Sequence, residues 1–329
     1  MKTICLNMIV KDEKPVIRRC LASVKQLIDY WVIVDTGSTD GTQQIIREFM
    51  QDSPGELHEE AWISFEHNRN SALNHARHKA DYILFIDADE TLLLLGQVDK
   101  NSLDQEFYLT MKVGQQVHAQ YVLLINNDLG WRWKDVLHEY ITSSHPMKGD
   151  ILKEAVIDCQ FKDGHRSYDL EKALKDAQIL EKEIESDTTN GRYVFYLAQS
   201  YGNARNFTKA LENFKKRVFM GGEPDEVFWS LYCTATLQQT LKMNHQTIID
   251  GYCQAYRFDP SRAEPLYQLA CYFQSIGAPF LGYLAAKSGL ELKKPKTSMK
   301  VHSWVYDYGL FSKYTELSSL ISISERPIF

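Results

Sequence analysis

The sequence predicts an α/β domain with a mixed central sheet, followed by an all-α domain. In the first half of the chain, short apolar runs alternate with helical patterns, as in βαβ units of a parallel sheet. After about residue 166 the strand signals stop and one helical pattern follows another. With 329 residues, the chain is long enough for two domains with separate cores. We therefore predict an α/β domain at residues 1–165 and a helical domain at residues 166–329.

The elements of the first half follow from apolar runs, turn residues and helix starts. Near-continuous hydrophobicity at YILFID predicts a strand that is buried on both faces. The stretches EFYLTMKV, AQYVLLINN and WRWKDVLHEYI lack comparable helices between them, so we expect three further strands with more antiparallel pairing. In chain order, the earlier predicted elements are a strand at 3–10, a helix opened by Pro15, a strand at 30–37, a helix at 40–50, a strand at 56–62, a helix at 66–79 and a strand at 82–87.

The second half repeats itself approximately. Three helical stretches can be laid over one another with Tyr196, Tyr232 and Tyr267 in register, at spacings of 36 and 35 residues. A period near 34 with paired helices is typical of tetratricopeptide (TPR) repeats, in which each helix pair packs only against its neighbours. An irregular helical bundle is the alternative.

Composition and charge exclude several classes of protein. The net charge of −6 gives no electrostatic reason to expect nucleic acid as a partner. No apolar run approaches 18 residues, and the N-terminal MKTICLNMIVKDEK turns charged too early for a signal peptide. Six cysteines without a CxxC pair favour a reducing compartment. The expectation is a soluble, cytoplasmic protein without a transmembrane segment.

Acidic residues end two of the predicted strands. YILFIDADE places Asp87 and Asp89 after a buried strand, and YWVIVDTGSTDGT ends its apolar run at Asp35 before a turn-forming loop. Ligands bind at the carboxyl edge of open α/β sheets, and hard divalent cations prefer oxygen ligands. The Asp-x-Asp alone is weak evidence, since by itself a solvated strand end explains it better. Together, the two strands predict a ligand site at one edge of the sheet.

Three motifs carry a family resemblance. LNMIVKDE with Pro15 following, VIVDTGSTDGT, and HNRNSALNHARHKADYILFIDADE resemble, in this order, the nucleotide-sugar-binding half of family 2 glycosyltransferases with the Rossmann-like GT-A fold. The resemblance covers about the first 95 residues. It extends more loosely to WRWKDVLHEYI and to the TPR-like helical region of one branch of the family. It implies an inverting, metal-dependent transferase that uses Mn²⁺ or Mg²⁺ and a UDP-sugar of glucose, galactose or N-acetylglucosamine.

The resemblance also implies roles for single residues. Asp35 would contact uracil or ribose, Arg69 the nucleotide or its diphosphate, and Asp89 the metal ion that bridges the phosphates. Arg69 can equally be a surface residue of an amphipathic helix. The complete set of implied donor and metal contacts is Val10, Glu13, Asp35, Arg69, Asp87, Ala88, Asp89, Trp133 and His165, of which Asp87, Asp89 and His165 would bind the metal.

The general base is implied to lie in LHEY. Where the family more often has an acidic pair, this sequence has His138 and Glu139. We expect Glu139 to be the base, with His138 as the alternative base or a metal contact. Adjacent residues of a strand face opposite sides, so only one of the two is expected to enter the site.

Two further contacts have structural alternatives. His165 would complete the metal shell, or it is only a residue at the start of a helix capped by Ser167. Trp133 would stack on a sugar ring, but alternation with Trp131 also suits the core face of a strand.

The acceptor and the competing functions stay open. A protein, peptide or glycan acceptor held by the helical domain fits the resemblance, and helical repeats can also form a homodimer. One alternative is a non-catalytic scaffold that binds nucleotide. The other is a sugar nucleotidyltransferase, which is disfavoured because no Gly-rich, basic loop follows the first strand.

Overall fold

The computed structural model describes residues 1–114, 118–159, 170–295 and 300–324. Contacts divide the chain into two compact units, Met1–Asp169 and Leu170–Phe329. The predicted boundary between residues 165 and 166 lies outside the described residues.

The first unit begins with strands that alternate with helices, as predicted. Helix formation follows the apolar spacing: in the first helix Ile17, Cys20, Leu21 and Val24 are buried at intervals of three or four residues, which places them on one face. The elements of this part are β1 Ile4–Val10, α1 Ile17–Val24, β2 Tyr30–Asp35, α2 Thr42–Met50, β3 Gly55–Glu59, α3 Phe65–His75 and β4 Tyr82–Phe85.

The rest of this unit consists mainly of strands. Two of these strands, Thr91–Leu94 and Gly149–Asp158, were not among the predicted strands. The elements are β5 Thr91–Leu94, a 3-10 turn Lys100–Ser102, β6 Phe107–Val113, β7 His118–Asn126, β8 Arg132–Lys134, β9 Tyr140–Thr142 and β10 Gly149–Asp158.

Within the described residues, eight strands form one mixed sheet in the order β3-β2-β1-β4-β7-β6-β10-β5. The pairs β1/β2, β1/β4, β2/β3 and β6/β10 are parallel. The pairs β4/β7, β6/β7 and β5/β10 are antiparallel. The mixed sheet followed by helices confirms the predicted fold class.

Two hydrophobic clusters cover the two faces of the sheet. Helices α1 and α2 pack on the face that contains Leu6, Ile33 and Leu84. Helix α3 packs on the other face, together with Phe85 and Trp133. The chain therefore changes faces between the βαβ unit of β1 and β2 and the unit that ends in β4. The crevice at the carboxyl ends of β1 and β4 is a topological switch point, where open α/β sheets bind ligands.

One predicted strand is wrong. WRWKDVLHEYI is not a single strand but two short antiparallel strands, β8 and β9, with a loop between them. The reason lies in the backbone, because Asp135 (φ 77°) and His138 (φ 56°) adopt left-handed conformations that end extended structure. Glu139 follows His138 directly and precedes β9.

The second unit contains paired helices, and the predicted repeat is confirmed. Tyr196, Tyr232 and Tyr267 lie on the first helices of three successive antiparallel pairs, α5/α6, α7/α8 and α9/α10, whose bounds follow. The helices are α4 Leu170–Ser186, α5 Gly191–Asn203, α6 Phe207–Met220, α7 Pro224–Thr240, α8 His245–Phe258, α9 Glu264–Ser275, α10 Pro279–Leu290 and, after a π-helical turn at Val305–Gly309, α11 Leu310–Ser324. Over the described ranges, no helix combines the length and apolar character that crossing a lipid bilayer requires.

His302 should make the stability of the helical unit depend on pH. The pKa of His302 is lowered to about 4, mainly by burial. The charges of Lys300 and Arg262 act in the same direction, and the charge of Glu264 acts against it. In the unfolded chain its pKa is about 6.5, so the unfolded state binds more protons between these values. The free energy of unfolding should therefore decrease as the pH falls from about 6.5 towards 4, by up to about 1.4 kcal/mol per pH unit.

Hydrogen exchange of α7 and α9 between pH 7 and pH 5, corrected for the intrinsic exchange rate, measures this effect. In His302→Gln the acid-induced loss of protection should be smaller than in the wild type. His67→Gln, which changes an exposed histidine of the other unit, is the control. Equal pH dependence in the wild type and His302→Gln would contradict the assignment.

Candidate functional site

The carboxyl ends of three parallel strands meet at one edge of the sheet. Val10 ends β1 and is the register partner of Asp35, which ends β2. On the other side of β1, β4 ends at Phe85, two residues before Asp87. The topology therefore brings Val10, Asp35 and Asp87 to the same edge, as predicted from the sequence.

Asp35 is held in a fixed orientation by the loop that follows it. Its Oδ1 accepts hydrogen bonds from the backbone N–H groups of Gly37 (3.0 Å) and Ser38 (2.8 Å), and from Nε2 of Gln43 (3.0 Å). Gly37 has a φ of 101°, a conformation that favours glycine. The other oxygen, Oδ2, is buried and has no hydrogen-bond partner within the described residues. A buried carboxylate oxygen without a donor is unfavourable, so this atom marks a position where a ligand N–H or O–H would be stabilising.

The end of β1 and the loop after it are cross-linked to the loop after β2 and to the start of α2. Thr36 donates to the carbonyl oxygen of Val10 through its backbone N–H (2.9 Å) and its Oγ1 (3.1 Å). The backbone N–H of Glu13 donates to Oγ1 of Thr42 (2.9 Å). These bonds place Val10 and Glu13 beside the Asp35 loop, where the resemblance expects the base of the nucleotide.

A buried arginine connects the strand end to the β8–β9 loop. Arg69 on α3 donates from Nη2 to Oδ1 of Asp87 (2.8 Å) and from Nε to Oε1 of Glu139 (2.5 Å). Its guanidinium also lies over the ring of Trp133, 4.8 Å from the ring centroid. Burial lowers the pKa of Arg69, but the two carboxylates outweigh it and the pKa is raised overall. Likewise, burial opposes ionisation of Asp87, but Arg69 and Lys112 dominate and lower its pKa.

Sequence reasoning missed a second cation at this edge. Lys112 on β6 forms an ion pair with Glu90, lies over the ring of Tyr121 and places Nζ 3.9 Å from Oδ2 of Asp87. Burial and the charge of Asp87 raise the pKa of Glu90 to about 7, against the effect of Lys112. The only signal in the sequence was a lysine inside the strand pattern EFYLTMKV, which by itself indicates no ligand.

The residues proposed for a metal ion fit a cation that is shared with phosphate. Asp87 keeps 39% of its side chain exposed, and Asp89 is partly exposed in the turn after it. No group of three or more His, Cys, Asp or Glu that could hold a metal occurs in the described ranges. Mg²⁺ is commonly held by one or two carboxylates plus substrate phosphates, so two carboxylates suffice when a diphosphate supplies further oxygens. His165, the third predicted metal contact, lies outside the described residues.

The other predicted contacts differ in accessibility. Ala88 is buried in the turn between the two aspartates. Trp133 is only 3% exposed and packs edge-on against Phe85, with the ring centroids 5.0 Å apart. Its alternation with Trp131 therefore reflects the core, where both side chains are buried.

His138 and Glu139 differ in exposure, but strand alternation is not the reason. The expectation that strand alternation would turn one of them inward is wrong, because both precede β9. The left-handed backbone of His138 makes the separation instead, leaving His138 exposed. The Glu139 side chain is only 11% exposed and points to Arg69.

Comparisons with known proteins agree with the N-terminal motifs. Residues 5–93 match the model of the family "Glycosyl transferase family 2". A TPR repeat-containing protein of Synechococcus elongatus is 34% identical over 152 residues, a match that covers 44% of this chain and 36% of the relative. The chain thus spans about a third of the length of that relative.

Solved structures show weaker likeness. A structure of S. aureus TarS 1-349 in complex with UDP-GlcNAc covers 78% of this chain and 91% of its own, with 13% identity and a TM-score of 0.37. YrrB, described as a TPR protein with an unusual peptide-binding site, covers 47% of this chain and 73% of its own, with 14% identity and a TM-score of 0.35. With the family match over residues 5–93 and the observed helix pairs, the chain carries a glycosyl transferase family 2 domain followed by a TPR-like helical region.

Proposed function

We propose that the chain is an inverting glycosyltransferase that transfers a sugar from a UDP-sugar to a protein, peptide or glycan acceptor. The observation that carries this proposal is the Asp35 carboxylate at the end of β2, next to the switch point of the sheet. One of its oxygens is fixed by the loop, and the other is buried without a hydrogen-bond donor. Uracil presents a ring N–H that can donate to such an oxygen, and the family match over residues 5–93 supports a nucleotide-sugar donor.

Glu139 is the proposed general base. In an inverting transfer, a carboxylate takes the proton of the acceptor hydroxyl while the acceptor oxygen attacks the anomeric carbon. The bond to UDP breaks in the same step, and UDP leaves from the opposite face. Glu139 is supported by its inward orientation and by its connection to Asp87 through Arg69. His138 is the less favoured base because it is exposed, whereas Glu139 is mostly buried.

Asp89 and Asp87 are the proposed ligands of Mn²⁺ or Mg²⁺. A bound cation would supply charge neutralisation for the leaving diphosphate. We predict that Asp89→Asn removes the Mn²⁺ dependence of UDP binding and leaves the fold intact, because the residue lies in a turn and not in the core. Calorimetric titration of UDP with Mn²⁺ and with EDTA measures this. If Mn²⁺ increases the affinity for UDP equally in Asp89→Asn and in the wild type, Asp89 is not a ligand of the metal ion.

A nucleotide-binding scaffold without turnover is the second candidate. It is favoured by the helical repeats, since such arrays present extended binding surfaces. Under either candidate, the helical region is the proposed binding surface for the acceptor or partner.

The reaction products distinguish the candidates. The purified chain is incubated with Mn²⁺ and UDP-glucose, UDP-galactose or UDP-N-acetylglucosamine, and separately with UTP and a sugar phosphate. Release of UDP from one UDP-sugar, increased by an acceptor, is the expected result. Pyrophosphate release from UTP would instead identify a nucleotidyltransferase. A chain that binds UDP but releases neither product would support the scaffold.

A further inference from the structure

We propose that Arg69 is a positioning residue, which holds Glu139 at the carboxyl end of β4 by bridging it to Asp87. This inference rests on the proposed function, because it explains how the proposed base is placed. It differs from the role that the family resemblance implies for Arg69, which is direct contact with the nucleotide or its diphosphate.

The guanidinium of Arg69 already contacts protein groups on several sides. Two of its three nitrogens already donate to carboxylates, Nε to Glu139 and Nη2 to Asp87. One face of the group lies over Trp133, and only 10% of the side chain is exposed. Charge-assisted hydrogen bonds to two carboxylates in a partly desolvated site are strong and directional. A diphosphate would have to displace at least one of them to bind Arg69.

The loop that carries Glu139 has an unusual backbone. The segment between β8 and β9 contains Asp135 and His138 in left-handed conformations, which non-glycine residues adopt less readily. Such a loop needs contacts from outside to keep one conformation. The bond between Arg69 and Glu139 joins residues 70 positions apart and supplies one such contact.

The residue after Arg69 contacts the same part of the chain. Asn70 fixes the strand in front of the loop through two hydrogen bonds to the backbone of Trp133, one from Nδ2 to the carbonyl oxygen and one to Oδ1 from the N–H, both 2.9 Å. Consecutive residues of α3 therefore hold β8 by its backbone and the end of the following loop by the Glu139 side chain. In this arrangement, α3 sets the position of Glu139 relative to Asp87.

The test is a double-mutant cycle with separate measurements of binding and turnover. Arg69→Met should decrease kcat by about 100-fold, a typical effect of losing a correctly placed general base, while the Kd of UDP changes less than about 3-fold. Arg69→Met/Glu139→Gln should be no slower than Glu139→Gln alone, because Arg69 acts through Glu139. Arg69→Lys, which keeps the charge and can make one of the bonds, should recover part of kcat with little change in KM.

A control variant and a binding measurement distinguish the positioning role of Arg69 from direct contact with the diphosphate. Arg47→Met removes an arginine from an exposed ion pair with Glu59 and should leave kcat unchanged. A large loss of UDP affinity in Arg69→Met with unchanged uridine affinity would overturn the inference and identify a diphosphate ligand.

Hydrogen exchange of residues 135–140 separates this inference from the proposed function. Exchange should be faster in Arg69→Met and partly restored in Arg69→Lys. If the wild type neither binds UDP nor releases it from UDP-sugars, the proposed function fails. Unchanged exchange of the loop in Arg69→Met would overturn the positioning role independently.

Discussion

Glu139→Gln should bind UDP with nearly the affinity of the wild type but transfer sugar about 100- to 10,000-fold more slowly, the range that general base catalysis contributes. Glutamine keeps an oxygen that accepts the hydrogen bond from Nε of Arg69, so the β8–β9 loop should keep its conformation. The variant loses the negative charge and, with it, the ability proposed for Glu139 to take a proton from the acceptor. Measurements of kcat and of the Kd of UDP, made on the same preparations, separate these effects.

Two variants serve as comparisons for this result. Glu59→Gln changes another glutamate that is paired with an arginine, but at the surface, and should leave turnover unchanged. His138→Ala tests the alternative base and should reduce turnover much less than Glu139→Gln, because His138 is exposed. Wild-type turnover in Glu139→Gln would mean that the base lies elsewhere, and a large loss in His138→Ala would point to the histidine.

Asp35→Asn should weaken UDP binding by about 10- to 100-fold, which corresponds to about 1.5–3 kcal/mol for a hydrogen bond to a charged group. Asparagine can keep Oδ1 as the acceptor of the loop N–H groups and place an NH₂ where Oδ2 now lies. That NH₂ cannot accept from the ring N–H of uracil, but it can donate to the corresponding ring nitrogen of cytosine. The variant should therefore also lose most of the preference for UDP over CDP.

Titrations of UDP and CDP into wild type, Asp35→Asn and Asp52→Asn measure both effects. Asp52 is an exposed carboxylate of the same unit, and its variant should bind like the wild type. An unchanged ratio of the UDP and CDP affinities in Asp35→Asn would show that Asp35 does not contact the base.

Sequence patterns predicted the half of the sheet that determines where the site lies. Strands β1, β2 and β4 have continuous apolar runs followed by acids, and parallel pairing brings these ends together. The two strands that were missed, β5 and β10, have weaker signals: β5 exposes two of its four residues, and β10, next to the edge of the sheet, exposes Asp150, Lys153 and Glu154 without regular alternation. Their positions depend on pairing with distant strands, which a local pattern does not encode.

The sequence motifs placed Asp35 and Asp87 at one edge of the sheet, but they did not predict the contacts between the residues of the candidate site. The motifs indicated Asp35, Asp87 and Glu139, but not that Arg69 joins the last two across 18 and 70 positions of the chain. Lys112 was missed because its partners come from other strands and loops. The β8–β9 loop was misread as a strand because left-handed conformations at Asp135 and His138 carry no glycine signal.

The central claim is that the sheet edge around Asp35 and Asp87 binds a uridine nucleotide together with a metal ion. Calorimetry and thermal unfolding of the full chain with UDP, GDP, CDP and ADP, each with Mn²⁺ and with EDTA, test it most directly. Because a ligand that binds only the native state stabilises it, a concentration of 100 times the Kd should add about 2.7 kcal/mol. We expect stabilisation by UDP that depends on Mn²⁺ and is absent with the other bases. No stabilisation by any nucleotide, in a chain that unfolds cooperatively, would contradict the proposed donor site.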